Sequence, residues 1–456
     1  MKGLNIPDRS RSPFRGIEAP DEQLVIRHEL LSLPNRMPLY VLPGDGPEII
    51  RLDLVVPAGV RYQHHPLAAV FTARLLREGT QSTHGDIIAE RLDYYGAYLE
   101  ATAERDKAVV SLYAPRRFFG EVLPLFAEVW NEASFPEDVL EVEKKHQLQE
   151  YQVNDRRVAW VARQHFNARL FGYDHPYGLF PAADDFGRVE QFQLREHFER
   201  CYASEDAYLI LSGSVDVDAV NMVASALGQR ILQPAMLNGK ALLSEGIHHP
   251  DRIEIVRQGA VQSALRMGRI IMPRGEPGFM GMQFLVTLLG GYFGSRLMKN
   301  IREDKGYTYG IGAFIMAYQH SASLVISSEV GTEVLEDALG EIRKELILLS
   351  REPASTEEIE RVRNYILGSL QRSLDGSISR AERLRNLLDA GEPADHFLRI
   401  KEFVQKVDPM ELMRLATGYL DPDRLITLVV GAGSDEKRDN AASFRRPEVS
   451  VERGRQ

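Results

Sequence analysis

Cysteine is almost missing from this sequence. Cys201 is the only one in 456 residues, which excludes an internal disulfide framework and any cysteine-based zinc cluster. It is followed by YASEDAYLILSG, a turn and then an apolar run that is typical of a buried strand. We therefore expect Cys201 to be a core residue rather than a reactive thiol.

The sequence also lacks an excess of positive charge and long apolar runs. Lys and Arg total 55 against 65 Asp and Glu, a net charge of −10, so nothing indicates a nucleic-acid or anionic-lipid partner. The opening stretch MKGLNIPDRSRSPFRGIEAPDEQ has no apolar core of the kind a signal peptide needs, and no later run is long enough to span a bilayer. We expect a soluble cytoplasmic protein.

An internal repeat is present. The strand-like RLDLVVPAGV, two helical segments and a strand pair in the first half recur in order in the second half, beginning at SALRMGRIIMP. Aligning Gly213 with Gly431, and Glu137 with Glu357, gives a separation of about 220 residues in both cases. A period of this length indicates a duplicated domain rather than a solenoid. The sequence predicts an α+β protein of two homologous domains, each an antiparallel-rich sheet packed with helices.

The repeat sets the expected domain boundaries. We predict an N-terminal domain over 24–228 and a C-terminal domain over 253–433, joined by an irregular linker at 229–252 that is rich in turn formers. The polar segments 1–23 and 434–456 are expected to be an N-terminal extension and a disordered tail.

A glycine-rich motif, LLGGYFGSRLMKNIREDKGYTYG, covers residues 288–310. It is not a phosphate loop, because Ser and Arg follow Gly294 where a Lys and then Ser or Thr would be needed, and the G-x-G-x-x-G spacing is missing. Gly290, Gly291 and Gly294 instead predict a tight, close-packed entry to a helix that begins near Ser295.

The duplicated domain resembles the M16 family of zinc peptidases, which includes pitrilysin, insulinase and the mitochondrial processing peptidase. The resemblance is carried by HPYG at 175–178, SGSVD at 212–216 and above all GSRLMKNIREDKGYTYG. It extends over nearly the whole chain apart from the ends. It implies the M16 peptidase-like fold, related to that of LuxS metallohydrolases.

The family's zinc motif is lost. Active members carry an inverted His-x-x-Glu-His on the first helix of the N-terminal domain, and the matching stretch here is VFTARLLREGT at 70–80. Its two His positions fall on Val70 and Arg74, and its catalytic Glu position falls on Ala73. Val and Ala offer no ligand or base, and Arg74 brings a fixed positive charge. The resemblance therefore implies that this chain binds no metal.

The third zinc ligand of the family is a Glu on a later helix. The resemblance places it at Glu141 in LEVEKKHQ, with Glu143 as the close alternative. We expect Glu141 to form an ion pair with Arg74.

The histidines do not replace the lost motif. No H-x-x-E-H or H-E-x-x-H occurs in the chain, and His64–His65 and His248–His249 are adjacent pairs, which cannot share one helix face. We expect these pairs to be solvated or capping residues. His175 in HPYG is expected to make structural hydrogen bonds rather than bind a metal.

The family's second active-site element is retained. In M16 peptidases an Arg and a Tyr of the C-terminal domain face the zinc across a closed chamber and hydrogen-bond the peptide near the scissile carbonyl. IREDKGYTY matches this pattern with Arg302 and Tyr309, and Tyr307 is the less favoured alternative. A guanidinium and a phenol can together hold a carbonyl that gains negative charge. The structural alternative is a solvated Arg302, like Arg296 on the same helix, and an ordinary strand aromatic at Tyr309.

This combination implies a division of labour. The chain is interpreted as the non-zinc subunit of a heterodimeric metalloendopeptidase, whose partner is a homologous subunit with an intact His-x-x-Glu-His and carries the zinc. A peptide substrate is expected to add as an extra strand to a sheet edge, at 97–104 or at 309–314. The alternative is a structural or assembly subunit, similar to the core proteins of respiratory complexes. A self-sufficient metalloenzyme is disfavoured, because both ligand positions and the base are lost together.

Overall fold

The chain folds into two halves, each built around one mixed β-sheet. The computed structural model describes residues 21–234 and 252–432. In the first half the strands are β1 (Glu29–Ser32), β2 (Pro38–Pro43), β3 (Ile49–Val56), β4 (Tyr98–Ala103), β5 (Ala108–Pro115) and β6 (Tyr208–Gly213). In the second half they are β7 (Arg252–Val256), β8 (Gln262–Ile271), β9 (Thr308–Ala317), β10 (Ala322–Gly331) and β11 (Ile426–Gly431).

The helices follow the same repeat. Those of the first half are α1 (Ala68–Leu75), α2 (Gly85–Tyr94), α3 (Phe119–Glu132), α4 (Glu137–Asn154), α5 (Val158–Phe171), α6 (Ala183–Gly187), α7 (Gln191–Cys201) and α8 (Val217–Leu227). Those of the second half are α9 (Phe279–Val286), α10 (Leu335–Arg351), α11 (Thr356–Ser373), α12 (Ser377–Ala390), α13 (His396–Lys406) and α14 (Pro409–Tyr419), with π-helical segments at Thr287–Gly291 and Met298–Asp304. Short 3₁₀ turns lie at Asp21–Leu24, Val60–Tyr62, Arg116–Phe118, Thr332–Val334 and Pro422–Arg424.

The two sheets share one topology over five strands, and the first sheet has one additional edge strand, β1. The first has the order β1-β2-β6-β3-β5-β4 and the second β7-β11-β8-β10-β9. In each sheet one pair is parallel, β2 with β6 and β7 with β11, and the other neighbours are antiparallel. The predicted duplication and the α+β class are therefore confirmed. Strand β4 and its repeat β9 are edge strands.

Parts of the predicted domain organisation lie outside the described residues. These parts are residues 1–20 of the extension, 235–251 of the linker with His248 and His249, Gly433 at the end of the predicted C-terminal domain, and the whole tail 434–456. The predicted linker starts two residues after α8 ends, and β7 begins at Arg252. In the two described ranges, no helix combines the length and the apolar character needed to cross a membrane.

Each half covers one sheet face with its own helices and the other face with a helix from the opposite half. Strand β3 is buried along nearly its whole length, which requires cover on both faces. In one cross-packed cluster, Phe166 and Leu170 of α5 meet Val325 and Leu428 of the second sheet. In the reciprocal cluster, leucines of α12 meet apolar residues of the first sheet, namely Leu384, Leu387, Val55, Val109 and Ile210. The two halves are therefore not separately packed domains.

A buried polar contact accompanies this exchange. Arg51 of β3 is only 3% exposed, and its guanidinium donates to Asp53 at 2.9 Å and to Glu382 of α12 at 2.7 Å. The Ser111 hydroxyl donates to the same Asp53 carboxylate at 2.6 Å. These bonds join the first sheet to a helix of the second half, and they meet the requirement that buried charges be paired.

Candidate functional site

Helix α1 carries the three positions that correspond to the zinc motif. Phe71 and Leu75 point into the first core, and another side of the helix packs on α7. Val70, Ala73 and Arg74 lie on the side that faces β4 and α4. Ala73 is buried, Val70 is half-buried and Arg74 is exposed. All three line one groove.

The predicted ion pair between Arg74 and Glu141 is wrong. The Arg74 guanidinium lies 3.4 Å from Glu143, which was the alternative, whereas Glu141 pairs with Lys144 at 2.6 Å. The reason is helical geometry. At 3.6 residues per turn, Glu141 lies about 200° round α4 from Glu143. Its side chain lines neither of the two cavities next to α1.

Two adjoining cavities meet at Val70. One is a groove of about 570 Å³ that runs along edge strand β4 and includes residues 100–103 and Glu143. The other, of about 490 Å³, includes Gln147 and Glu150 of α4 together with Trp160 of α5. Glu150 was not among the residues predicted from the sequence. Its signal was the seven-residue spacing from Glu143, two helical turns that return to the same face.

These residues do not fit a zinc ion. A zinc site needs at least three converging nitrogen, sulfur or oxygen ligands, but Val70 and Ala73 have none and Arg74 is a cation. The Arg74 guanidinium also engages Glu143, one of the nearby carboxylates that could act as a ligand. Across residues 21–234 and 252–432, no three His, Cys, Asp or Glu side chains are grouped so as to hold a metal.

The other singled-out residues have structural contacts. His64 and His65 both contact the Glu196 carboxylate, at 2.8 and 3.3 Å. His175 Nδ1 accepts the backbone N–H of Tyr177 at 3.1 Å, which confirms its predicted hydrogen-bonding role. Cys201 is buried as predicted, and burial raises the pKa of its thiol to about 11.

The second-half motif packs tightly against β9. A Cβ atom on Gly290 would lie 2.5 Å from the backbone nitrogen of Ala313, so only glycine allows this close approach. The close packing predicted for the glycines is confirmed at this position. Arg302 follows in the π-helical segment Met298–Asp304, and its guanidinium carbon lies 4.8 Å from the ring centroid of exposed Phe293. An arginine held over an aromatic face keeps its N–H donors free along the guanidinium edge.

Tyr309 lies at a β-bulge on the edge of the second sheet. Ile311 pairs with Ser328 and Thr308 with Val330, so two residues of β9 oppose one of β10. A bulge redirects a side chain, and Tyr309 is 92% exposed. Tyr307, by contrast, is half-buried against the second core. Tyr309 is therefore the accessible phenol of the motif.

Arg296 is not solvated as expected. Its guanidinium forms two bonds with Glu358 of α11, at 2.8 and 3.0 Å, and so ties the motif to that helix. Glu358 also accepts the backbone N–H of Ser355 in a capping box. Burial alone would raise the pKa of the Glu358 carboxyl, but the bonds from Arg296 and Ser355 outweigh it and lower the pKa to about 2.

This lowered pKa predicts an acid-dependent loss of stability. The Glu358 carboxylate stabilises the fold fully above its unfolded-state pKa of 4.5, and this stabilisation is lost as the pH falls toward about 2. We expect Glu358→Gln to lower the free energy of unfolding by about 1 kcal/mol at pH 7 and by almost nothing near pH 2. Urea unfolding at both pH values measures this difference.

Glu357→Gln is the matched control for that measurement. Glu357 precedes Glu358 and its side chain is 81% exposed, although it pairs with Arg361 at 2.5 Å. Exposed pairs contribute little, so this variant is expected to unfold like the unmodified chain at both pH values. Equal losses of stability in the two variants would contradict the role given to the Arg296 contact.

Both segments predicted to receive a peptide are edge strands. Residues 97–104 contain β4, and 309–314 lie within β9. The β4 edge borders the groove that contains Val70 and Arg74. The β9 edge carries Tyr309.

Two family profiles and several curated relatives match this sequence, and both profiles describe M16 peptidases. A profile described as "Insulinase (Peptidase family M16)" matches residues 46–176, and one described as "Peptidase M16 inactive domain" matches 189–366. An "Uncharacterized zinc protease" of Rickettsia bellii is 24% identical over 347 residues, covering 74% of this chain and 81% of its own length. A "Non-peptidase homolog YmxG" of Helicobacter pylori is 20% identical over 382 residues, covering 82% and 85%.

Solved structures share the fold. A peptidase M16 inactive domain from Pseudomonas fluorescens superposes with a TM-score of 0.81 at 21% identity, over 89% of this chain and 98% of that one. A chain of complex III from Candida albicans superposes with a TM-score of 0.71 at 12% identity, over 88% and 95%. The two profiles together match more than half of the sequence, and both sheets have the topology expected from the duplication. The chain belongs to the M16 peptidase family.

Proposed function

We propose that this chain is a catalytically incomplete M16 subunit that pairs with a zinc-bearing homologue to form a peptide-cleaving metalloendopeptidase. The observation that carries the proposal is an imbalance between the halves. The first half has Val70, Ala73 and Arg74 at the zinc-motif positions, whereas the second half retains Arg302 and an exposed Tyr309 on an edge strand. The hydrolytic motif and the zinc would come from the partner.

In this arrangement Arg302 and Tyr309 hold the substrate carbonyl. A guanidinium presents several N–H donors, and a phenol adds one directed O–H. Donors that are already in place stabilise the negative charge that develops on the carbonyl oxygen during hydrolysis. The packing of Gly290 against Ala313 and the Arg296–Glu358 contact support the segment that carries them.

An extended peptide fits the edge strands. Unpaired N–H and C=O groups of an edge strand bind a peptide backbone with little choice of sequence. The groove of about 570 Å³ beside β4 supports the first of the two predicted edges, and its position next to Arg74 and Glu143 adds one charge of each sign. The β9 edge remains the second candidate, since Tyr309 projects from it.

Affinity purification of the tagged chain from its own host cells tests the proposal. We expect a stoichiometric partner of similar size that carries His-x-x-Glu-His. Neither protein alone should cleave peptides at the rate of the mixture. Recovery of this chain by itself would contradict the proposed pairing. Fractionation of the same cells checks the cytoplasmic location, which remains a prediction.

A structural or assembly subunit is the second candidate function. The similarity to a chain of complex III favours it, and so does the relative named a non-peptidase homolog. The same purification separates the two candidates, because a structural subunit would be recovered in a larger assembly without any protein that carries His-x-x-Glu-His.

A further inference from the structure

The HPYG turn at 175–178 lies between two hairpin turns that belong to different halves. Tyr177 is only 3% exposed. Its hydroxyl donates to Asp106, in the turn between β4 and β5, at 2.7 Å. Its ring stacks on Tyr318, in the turn between β9 and β10, with centroids 4.2 Å apart and an interplanar angle of 14°. One side chain therefore contacts the ends of both edge hairpins.

Asp106 extends this contact across the halves. While one carboxylate oxygen accepts the Tyr177 hydroxyl, the other accepts the backbone N–H of Gln319 at 3.1 Å. The Arg61 guanidinium lies 3.5 Å from the same carboxylate, so the charge is paired. The neighbouring Arg105 donates to the backbone oxygens of Pro176 and Leu179, at 2.9 and 2.7 Å.

Close packing, a hydrogen bond and ring contacts hold the conformation of the HPYG turn. A Cβ atom on Gly178 would lie 2.1 Å from the backbone oxygen of Gly172, so only glycine fits. His175 accepts the Tyr177 N–H and stacks on Phe171. The Phe171 ring also contacts the rings of Tyr177 and Tyr318. Because Phe171 ends α5, these contacts link the turn to the helix that crosses onto the second sheet.

We propose that the HPYG turn is a clamp that fixes edge strand β4 relative to edge strand β9, with Tyr177 as a positioning residue for peptide binding. Both strands run directly into the turns that the clamp joins. One edge borders the groove beside Arg74, and the other carries Tyr309. A clamp at this point fixes the relative placement of the two edge strands, and through β9 that of Tyr309, which lies nine residues before Tyr318. The part that concerns peptide binding rests on the function proposed above.

Hydrogen exchange of the isolated chain tests the clamp without any partner. Asp106→Ala removes the acceptor of the Gln319 N–H, and Tyr177→Phe removes one hydroxyl but keeps the ring stacking. We expect amide exchange in the 318–321 turn to accelerate about tenfold or more in Asp106→Ala and less in Tyr177→Phe. Unchanged exchange in both variants would overturn the clamp.

Glu382→Gln is the matched control. It weakens another cross-half contact, with Arg51, that involves neither hairpin turn. Exchange in the 318–321 turn should stay as in the unmodified chain. If Glu382→Gln accelerated exchange as much as Asp106→Ala, general loosening of the contact between the two halves, and not the clamp, would control exchange in the 318–321 turn.

Kinetics of the assembled complex test the positioning role. We expect Tyr177→Phe to raise KM for peptide hydrolysis roughly fivefold and to change kcat less than twofold, because positioning affects binding in the ground and transition states alike. An unchanged KM would overturn the positioning role. If no complex forms or no peptide is cleaved, the proposed function fails, and hydrogen exchange still decides whether the clamp exists.

Discussion

Replacing Arg302 with alanine should lower kcat for peptide hydrolysis by the assembled complex about 100-fold, with a smaller change in KM. The guanidinium gains its interaction as negative charge develops on the substrate carbonyl, so its loss raises the transition state more than the bound substrate. Steady-state kinetics on a fluorogenic peptide measure the effect. Tyr309→Phe removes one hydrogen-bond donor at an exposed position, and this variant should also have a lower kcat.

Lys299→Ala is the control for charge alone. Lys299 is an exposed cation in the same π-helical segment as Arg302, and its removal should leave both kinetic constants unchanged. The thermal midpoint of Arg302→Ala should also stay near that of the unmodified chain, because the Arg302 guanidinium packs on the ring of Phe293, which is itself exposed. Full activity of Arg302→Ala would show that the guanidinium does not hold the carbonyl.

Restoring two imidazoles should turn the degenerate motif into a metal site. In the double variant Val70→His/Arg74→His the imidazoles stand one helical turn apart on the α1 face that meets α4. Removal of the arginine also frees Glu143, and Glu150 lines the adjoining cavity as a further carboxylate. We expect this variant to bind one Zn²⁺ at least 100-fold more tightly than the unmodified chain, since three ligands then converge. Calorimetric titration and metal analysis measure the difference.

Arg74→His alone is the matched variant, because it removes the cation but supplies only one imidazole. It should bind zinc far more weakly than the double variant. Equal zinc affinity in the unmodified chain and the double variant would contradict the conclusion that Val70 and Arg74 disable the site. Circular dichroism of each variant checks that α1 is still folded.

The sequence predicted the large-scale organisation well. A repeat of about 220 residues carries strands, helices and turns in the same order, and one order of elements yields one sheet topology in both halves. The two candidate edges were also identified correctly, because each begins a strand pair whose second strand continues into the sheet. Gly290 was correctly interpreted as a packing residue, because the motif lacks the Lys and the glycine spacing of a phosphate-binding loop.

The finer features depended on contacts between distant segments. Choosing between Glu141 and Glu143 required the orientation of α4 about its axis, which a helix with charged residues on several sides does not reveal. The exposure of Tyr309 depends on a bulge that is defined only by its pairing with β10. Arg296 lies in a basic stretch that is typical of solvated surface, and its partner Glu358 is 62 residues away. The apolar pattern of a strand shows that a sheet face is buried, but it does not indicate which half supplies the helix that covers this face.

The exchange of α5 and α12 between the halves has a consequence for how the chain acquires its structure. During synthesis the first sheet emerges complete while one of its faces still lacks α12, and α5 emerges before the second sheet exists to receive it. The apolar face that carries Val55, Val109 and Ile210 therefore stays uncovered until Leu384 and Leu387 have been made. Folding intermediates with such a surface are prone to aggregate. The two halves therefore form one cooperative folding unit. A chain released from a ribosome that had stalled between the halves would expose this apolar face, and chaperones would have to bind it to prevent aggregation.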